Sequence, residues 1–234
     1  HAAGGTHVNI FPQHCSKVFD VIVLGAGERA IIELIRDYRK KDLRQIYNIQ
    51  PDRQEYPYPL RHYIPESHVV NTRFFKKSRL ISTSAQFGRG CPFKCSFCAN
   101  TLPRKTSINA PENIVEEIEY LKKAYNIEGI SLKDDICIPF NEKQAVPYLE
   151  ALGQSNIKWR GQTRVETPPG LIKIARESGC LELALGVESA SQQVLNIINK
   201  GLQIEEIIEA VAFIKNSGIK VQICMIIGLP GEPR

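Results

Sequence analysis

Three cysteines, Cys91, Cys95 and Cys98, fall within eight positions of the stretch "GRGCPFKCSFCAN" (88–100). Neither common structural use of cysteine fits three. A structural zinc site takes four ligands, commonly as paired C-x2-C knuckles. The second knuckle is missing here, and His62 and His68 lie upstream at no zinc-finger spacing. A disulfide takes two thiols and leaves one over. Iron–sulfur clusters are wrapped by closely spaced thiolates, usually four. With three, one iron keeps a position for an outside ligand, and an open position is what makes a metal site reactive. The other four cysteines, Cys15, Cys137, Cys180 and Cys224, sit singly among apolar neighbours and are expected to be buried structural thiols.

The loop has to be carried by regular elements, and from residue 79 these alternate. The strand-like runs are "LISTSAQ", "EGISLK", "IKWRGQ", "LELALGV" and "IKVQICMIIGL". Between them run helical stretches: one from Pro111 with Ile114, Ile118, Leu121 and Tyr125 on one face, then 142–154, 168–178, 191–199 and 204–217. Short βα alternation predicts a parallel sheet with right-handed crossovers, curled as a barrel or open and doubly wound. Polar groups follow each apolar run: the cysteine loop, Asp134 and Asp135, Gln162 and Arg164, Glu188 and Ser189, then Gly228 and Pro230. Barrel chemistry collects at the C-terminal strand ends. The expectation is therefore an α/β protein with a partial (βα) barrel whose upper rim is a site. Lys94 and Arg104 are read as surface charges.

Ahead of the barrel, "FDVIVL" (19–24), the turn "GAGE" and the helical "RAIIELIRDYRK" (29–40) make half of an α/β unit. "NIQPDRQEYPYPLRHYIPE" (48–66) breaks the pattern with four prolines. The expected organisation is a first domain over 1–47, a linker over 48–78 and the barrel over 79–234. The chain opens at His1 rather than Met and ends just after "GLPGEP", so a longer parent with one further barrel strand is expected.

Composition narrows the class. Hydrophobic residues at 43% and charged residues at 24% are ordinary for a soluble globular protein. No apolar run approaches the roughly 20 residues of a membrane span, and no signal-peptide pattern opens the chain. The net charge of +5 is mild; part of it surrounds the cysteines and leaves nucleic acid open as a partner. Seven cysteines with only three clustered fit a reducing cytoplasm.

On these residues the chain resembles the radical S-adenosylmethionine (SAM) superfamily. The C-x3-C-x2-C loop follows a first barrel strand, with an aromatic, Phe97, before the last cysteine. "KDD" (133–135), "GQTRVET" (161–167), "GVESAS" (186–191) and "GLPGE" (228–232) resemble the second to fifth strand ends of the subgroup with an N-terminal cobalamin-binding domain. The resemblance implies a 4Fe–4S cluster on Cys91, Cys95 and Cys98, with the amino and carboxylate groups of SAM on the fourth iron. It also implies a flavodoxin or ferredoxin as electron donor, reductive cleavage of SAM, and a small-molecule substrate. Phe97, Gln162, Arg164, Glu188 and Ser189 would contact SAM: Arg164 its carboxylate, Gln162 and Ser189 as hydrogen-bond partners, and Glu188 its ribose hydroxyls or amino group. Alternatively, Arg164 and Glu188 pair across neighbouring strands. Asp134 and Asp135 would position substrate or accept a proton, or else form a solvated strand end or helix cap. Methyl transfer is the subgroup's commonest chemistry. A cobalamin-independent radical enzyme (sulfur insertion or RNA modification) and a non-catalytic zinc or iron–sulfur protein are the alternatives.

"GGTH" (4–7) followed by "FDVIVLGAGE" is similar to the second half of the Rossmann-like cobalamin domain of that subgroup. There Gly4, Gly5, Gly25 and Gly27 would make room for the cofactor's nucleotide tail. "GAGERA" (25–30) also satisfies the dinucleotide pattern G-x-G-x-x-A, but no acidic strand end follows about 20 residues on. The D-x-H-x-x-G motif that carries the lower axial histidine in many cobalamin domains is absent from the chain.

Overall fold

A computed structural model describes residues 1–49, 57–75, 78–98 and 106–232. The chain divides into two compact units, one within His1–Tyr58 and one within Pro59–Cys98 and Arg104–Arg234.

In the first unit β1 (Ala2–Gly4), β2 (Val21–Val23) and β3 (Ile46–Tyr47) form a parallel sheet in that order. Helices α1 (Thr6–Ile10) and α2 (Pro12–Cys15) connect β1 to β2, and α3 (Glu28–Lys40) connects β2 to β3. The β-branched run of β2 is buried on both faces, as the middle strand of a parallel sheet must be. Val21 and Val23 pack with Ala30 and Tyr47, while Ile22 packs with Val8 and Cys15 on the other side. The glycine turns follow the ends of adjacent strands, Gly4–Gly5 after β1 and Gly25–Gly27 after β2.

The second unit opens with a 3-10 turn at Arg61–Tyr63 and the short helix α4 (Glu66–Val69). Residues 50–56 and 76–77 of the expected linker lie outside the described residues. Within the second unit, buried Arg61 reaches Glu117 at 2.8 Å and the Ser84 carbonyl at 3.1 Å. The strands that follow are β4 (Ser82–Ala85), the two-residue β5 (Gly88–Arg89) and β6 (Ser107–Ile108), β7 (Gly129–Leu132), β8 (Lys158–Thr163), β9 (Cys180–Glu188) and β10 (Lys220–Met225). The helices are α5 (Pro111–Tyr125), α6 (Glu142–Gln154), α7 (Pro169–Glu177), α8 (Gln192–Ile197) and α9 (Ile204–Asn216).

Five strands form one parallel sheet in the order β4-β7-β8-β9-β10, which is also their order along the chain. A doubly wound sheet reverses direction at a switch point. Here every crossover steps the same way; with the right-handed rule for such connections this stacks the helices on one face and gives the wall of a (βα) barrel. Helix α5 packs on α6 and α6 on α7. Their apolar stripes, such as Ile114, Ile118 and Leu121 of α5, are fully buried against the helix-facing residues of the strands, Trp159 of β8 and Leu183 and Leu185 of β9 among them.

The opposite face of the sheet is polar. One register row crosses all five strands through Ser84, Ser131, Arg160, Glu182 and Lys220. Glu182 takes Arg160 at 2.6 Å and Lys220 at 2.7 Å. The next row holds Gln162, Ala184 and Gln222, and the one above pairs Gly186 with Cys224. Cys224 thus departs from expectation: Cys15, Cys137 and Cys180 are buried, but Cys224 is only half-buried. Among the described residues it lies on the edge strand of the sheet and shares the face of Gln222. The strand expected over 219–229 also stops early. A bulge between Cys224 and Met225 shifts the register, and the Ile226 N–H turns to the Glu188 carbonyl at 3.0 Å.

Gly161 lets the turn after β7 lie against β8. A Cβ there would stand 2.6 Å from both Cβ and Sγ of Cys137, whose N–H donates to the Gln162 carbonyl at 2.8 Å. Gly161→Ala is expected to destabilise the chain by about 1–3 kcal/mol through overpacking, read as a lower urea midpoint with an unchanged m-value.

Candidate active site

The cysteine loop, residues 90–98, rises from the end of β4 and is closed at its base by β5, which pairs antiparallel with β6: Gly88 faces Ile108 and Arg89 faces Ser107. The sequence patterns gave no sign of this two-residue ladder. Arg104 falls outside the described residues, and Lys94 is exposed as expected.

Two carboxylates fix the start of the loop. Asp134 is 5% exposed; its Oδ1 accepts from the Phe87 N–H at 2.9 Å and its Oδ2 from the Tyr148 hydroxyl at 2.9 Å. Asp135 is half-buried and accepts from the Gly90 N–H at 2.7 Å. Neither is a solvated strand end or a helix cap. Gly88 belongs to the same contact, since a Cβ there would stand 2.9 Å from Asp134 Oδ2.

Arg164 holds the middle of the loop. It is 6% exposed, and its Nη1 lies 3.2 Å from Cys95 Sγ. Its Nη2 reaches Glu166 Oε1 and the Lys200 carbonyl, each at 2.6 Å, while Nε donates to both Glu166 oxygens. The guanidinium also stacks 3.7 Å from the Phe93 ring centroid. Burial works against this charge, but Glu166 and Cys95 outweigh it and raise the arginine pKa further. The turn after β8 explains the geometry. The Thr167 hydroxyl donates to the Arg164 carbonyl at 2.8 Å, closing the turn and bringing Glu166 back beside the guanidinium.

Arg164 and Glu188 do not pair. Glu188, at the end of β9, takes Lys200 Nζ on Oε1 at 2.9 Å, with both side chains buried. Its backbone is left-handed, φ 73°. Ser189 is buried, and its Oγ accepts from the Ser191 N–H at 3.2 Å. Gln162 is exposed on the polar face, and Phe97 is 39% exposed with Lys200 Nζ 5.9 Å from its ring centroid. Glu166, Phe93, Tyr148 and Lys200 are members of this arrangement that sequence reasoning missed, as is Asn199, whose Nδ2 donates to the Lys94 carbonyl; only Asn199, before a lysine and a glycine at a helix end, carried a visible signal, that of a helix C-cap.

The thiols themselves suit a cluster. None of the three is in a disulfide; Cys91 and Cys95 are half-buried and Cys98 is exposed. Burial pushes the Cys91 thiol up; the Phe93 N–H and Arg164 oppose this, and charge on Cys95 and Cys98 adds to it. Three soft thiol donors on one short loop match the donor chemistry of an iron–sulfur cluster. They do not stand in a closed ligand set: among the described residues no group of three or more His, Cys, Asp and Glu side chains is arranged to hold a metal ion.

Asp134 carries a pH signature. Burial pushes its carboxyl up from 3.8 to about 7, against the pull of the Gly88 and Phe87 N–H groups and the Tyr148 hydroxyl, and Asp135 adds to the rise. The folded state then binds the proton more tightly than the unfolded chain, so this stabilisation is complete below about pH 4 and is lost as pH rises to about 7. Asp134→Asn keeps an acceptor for Phe87 and a partner for Tyr148 without the charge. The unfolding free energy of the wild type is expected to fall relative to Asp134→Asn by up to about 1.4 kcal/mol for each pH unit across that window, and to run parallel to it above pH 7.

Comparison with known proteins agrees with this arrangement. The model of the radical SAM superfamily matches residues 85–234. An uncharacterized methyltransferase of Pyrococcus horikoshii is 30% identical over 99% of this chain and 54% of its own length. The anaerobic magnesium-protoporphyrin IX monomethyl ester cyclase of Cereibacter sphaeroides is 27% identical over 99% of this chain and 42% of its own. The chain therefore spans about half the length of the curated relatives it matches. Among solved structures, the cobalamin-dependent SAM radical enzyme OxsB with aqua-cobalamin and SAM bound superposes with a TM-score of 0.76 at 20% identity, over 96% of this chain and 36% of that one. The radical SAM methyltransferase TsrM from Kitasatospora setae gives 0.72 at 16% identity, over 99% and 50%. With the family model covering the strand ends and the cysteine loop together, the chain belongs to the radical SAM superfamily.

Proposed function

We propose that the chain is the cluster-bearing part of an enzyme that cleaves SAM reductively and serves as a cobalamin-dependent methyltransferase. The observation that carries this reading is the three-thiol loop held at the C-terminal ends of parallel strands, with a buried arginine on its middle cysteine. Cys91, Cys95 and Cys98 would hold a 4Fe–4S cluster, leaving one iron for the amino and carboxylate groups of SAM. When bound, the cluster supplies the electron that breaks a C–S bond of the sulfonium and releases a 5′-deoxyadenosyl radical.

The chain's own residues bind and orient. Glu166 is the partly exposed partner of Arg164, so a SAM carboxylate would displace it most readily. With Oε1 on Lys200, Glu188 presents Oε2 to ribose hydroxyls. Ser189 keeps its hydroxyl proton to donate, since its oxygen is the acceptor toward Ser191. Gln162 offers its amide from the open face. Asp134 and Asp135, with oxygens engaged by the loop backbone, support the cysteines rather than meet a small-molecule substrate head-on. In the first unit a Cβ on Gly5 or Gly27 would meet no atom of the described residues within 4 Å, which leaves room beside those turns of the kind a cobalamin tail would use. No helix among the described residues is long and apolar enough to cross a membrane. Seven cysteines, none in a disulfide, suit a reducing cytoplasm, where a flavodoxin or ferredoxin would supply the electron.

Anaerobic reconstitution with iron and sulfide is expected to give a broad absorbance near roughly 400 nm, and 5′-deoxyadenosine after reduction with SAM. Cys95→Ala should lose both, while Cys15→Ala keeps both. Tight zinc in place of iron, or reduction without 5′-deoxyadenosine, would refute the reading.

A further inference from the structure

Helix α8 ends in a Schellman turn whose last residue, Lys200, already meets Arg164 and Glu188. The Asn199 N–H donates to the Asn196 carbonyl at 3.1 Å and the Lys200 N–H to the Leu195 carbonyl at 2.9 Å, with Asn199 left-handed at φ 53°. The turn delivers three successive residues to the cysteine loop. The Ile198 carbonyl accepts from the Ser96 N–H at 2.9 Å. Asn199 Nδ2 donates to the Lys94 carbonyl at 3.1 Å. The Lys200 carbonyl accepts from Arg164, the guanidinium that touches Cys95. The Lys200 ammonium lies between Glu188 and the Phe97 ring. Each residue from Lys94 to Phe97 is thus met by this turn, directly or through Arg164. Gly186 leaves the space: a Cβ there would stand 2.6 Å from Glu188 Oε1 and 3.1 Å from Lys200 Nζ.

We propose that the Ile198–Lys200 turn is the seat of the cysteine loop. Asn199 and Ile198 hold its backbone, and Lys200 is a positioning residue that pins one oxygen of Glu188 so that the other faces the ligand. The purpose of the seat rests on the cluster and SAM reading; the holding contacts do not need the cluster. A loop that must present three sulfurs together is held here by contacts from outside it.

Asn199→Gly removes the amide and keeps the left-handed backbone, which glycine adopts freely. Amide exchange over residues 91–98 of the cluster-free chain is expected to be about three or more times faster in this variant than in wild type, with the core strands unchanged. Equal exchange overturns the seat. In reconstituted protein, Lys200→Met is expected to weaken SAM binding by about tenfold at unchanged iron content, with Lys200→Arg restoring most of it. Unchanged affinity in Lys200→Met overturns the role given to Lys200. A wild-type chain that takes up no cluster overturns the proposed function instead, and the exchange rates still decide the seat.

Discussion

The buried guanidinium of Arg164 is the interaction around which the site is arranged. A charge taken out of water is costly unless its hydrogen bonds and countercharge are supplied. Glu166 supplies the charge, the Lys200 carbonyl a second acceptor, Cys95 a third and the Phe93 ring a face. These partners come from three separate segments: the turn after β8, the turn after α8 and the cysteine loop. Because one planar group satisfies all three, their relative placement follows from its geometry. A lysine would bring a point charge and three rotatable donors, and could not fix them in one plane.

The sheet below supplies the platform. Its helix-facing side is closed by apolar packing, so the fold does not depend on what lies on the other side. That other side carries a row of serines and charged residues, with Glu182 bridging Arg160 and Lys220 near the N-terminal strand ends. Moving along the strands, the polar face passes through Gln162 to Arg164 and Glu188. A site for a charged cofactor needs such a wall: polar groups anchored on strands, backed by a core that holds them still.

The strands and long helices were legible because their period is local. Ile114, Ile118 and Leu121 announce a helix face, and the β-branched runs announce strands, before any partner is known. The three cysteines were legible because their spacing is itself the chemistry. Lys200 and Tyr148 were not, since their meaning lies in neighbours 12 and 14 residues away across strand ends. Asp134 and Asp135 showed the same limit: sequence placed them at the right strand end, but their targets, Phe87 and Gly90, lie more than forty residues upstream. Cys224 looked buried because its neighbours are apolar, whereas its exposure is set by the strand's place at the sheet edge.

Glu188 shows how tightly the rim is determined. A non-glycine residue in the left-handed region costs about 1–3 kcal/mol, and glutamate has no local hydrogen bond of the kind that eases asparagine into it. Three features hold it there. The bulge in β10 leaves its carbonyl facing the Ile226 N–H, Gly186 leaves room beneath its carboxylate, and Lys200 fixes that carboxylate from above. Relaxing the backbone would turn the carboxylate off the rim and leave a buried ammonium without its partner. The strain therefore keeps Glu188 aimed at the same face as Arg164, ready-set before a ligand arrives.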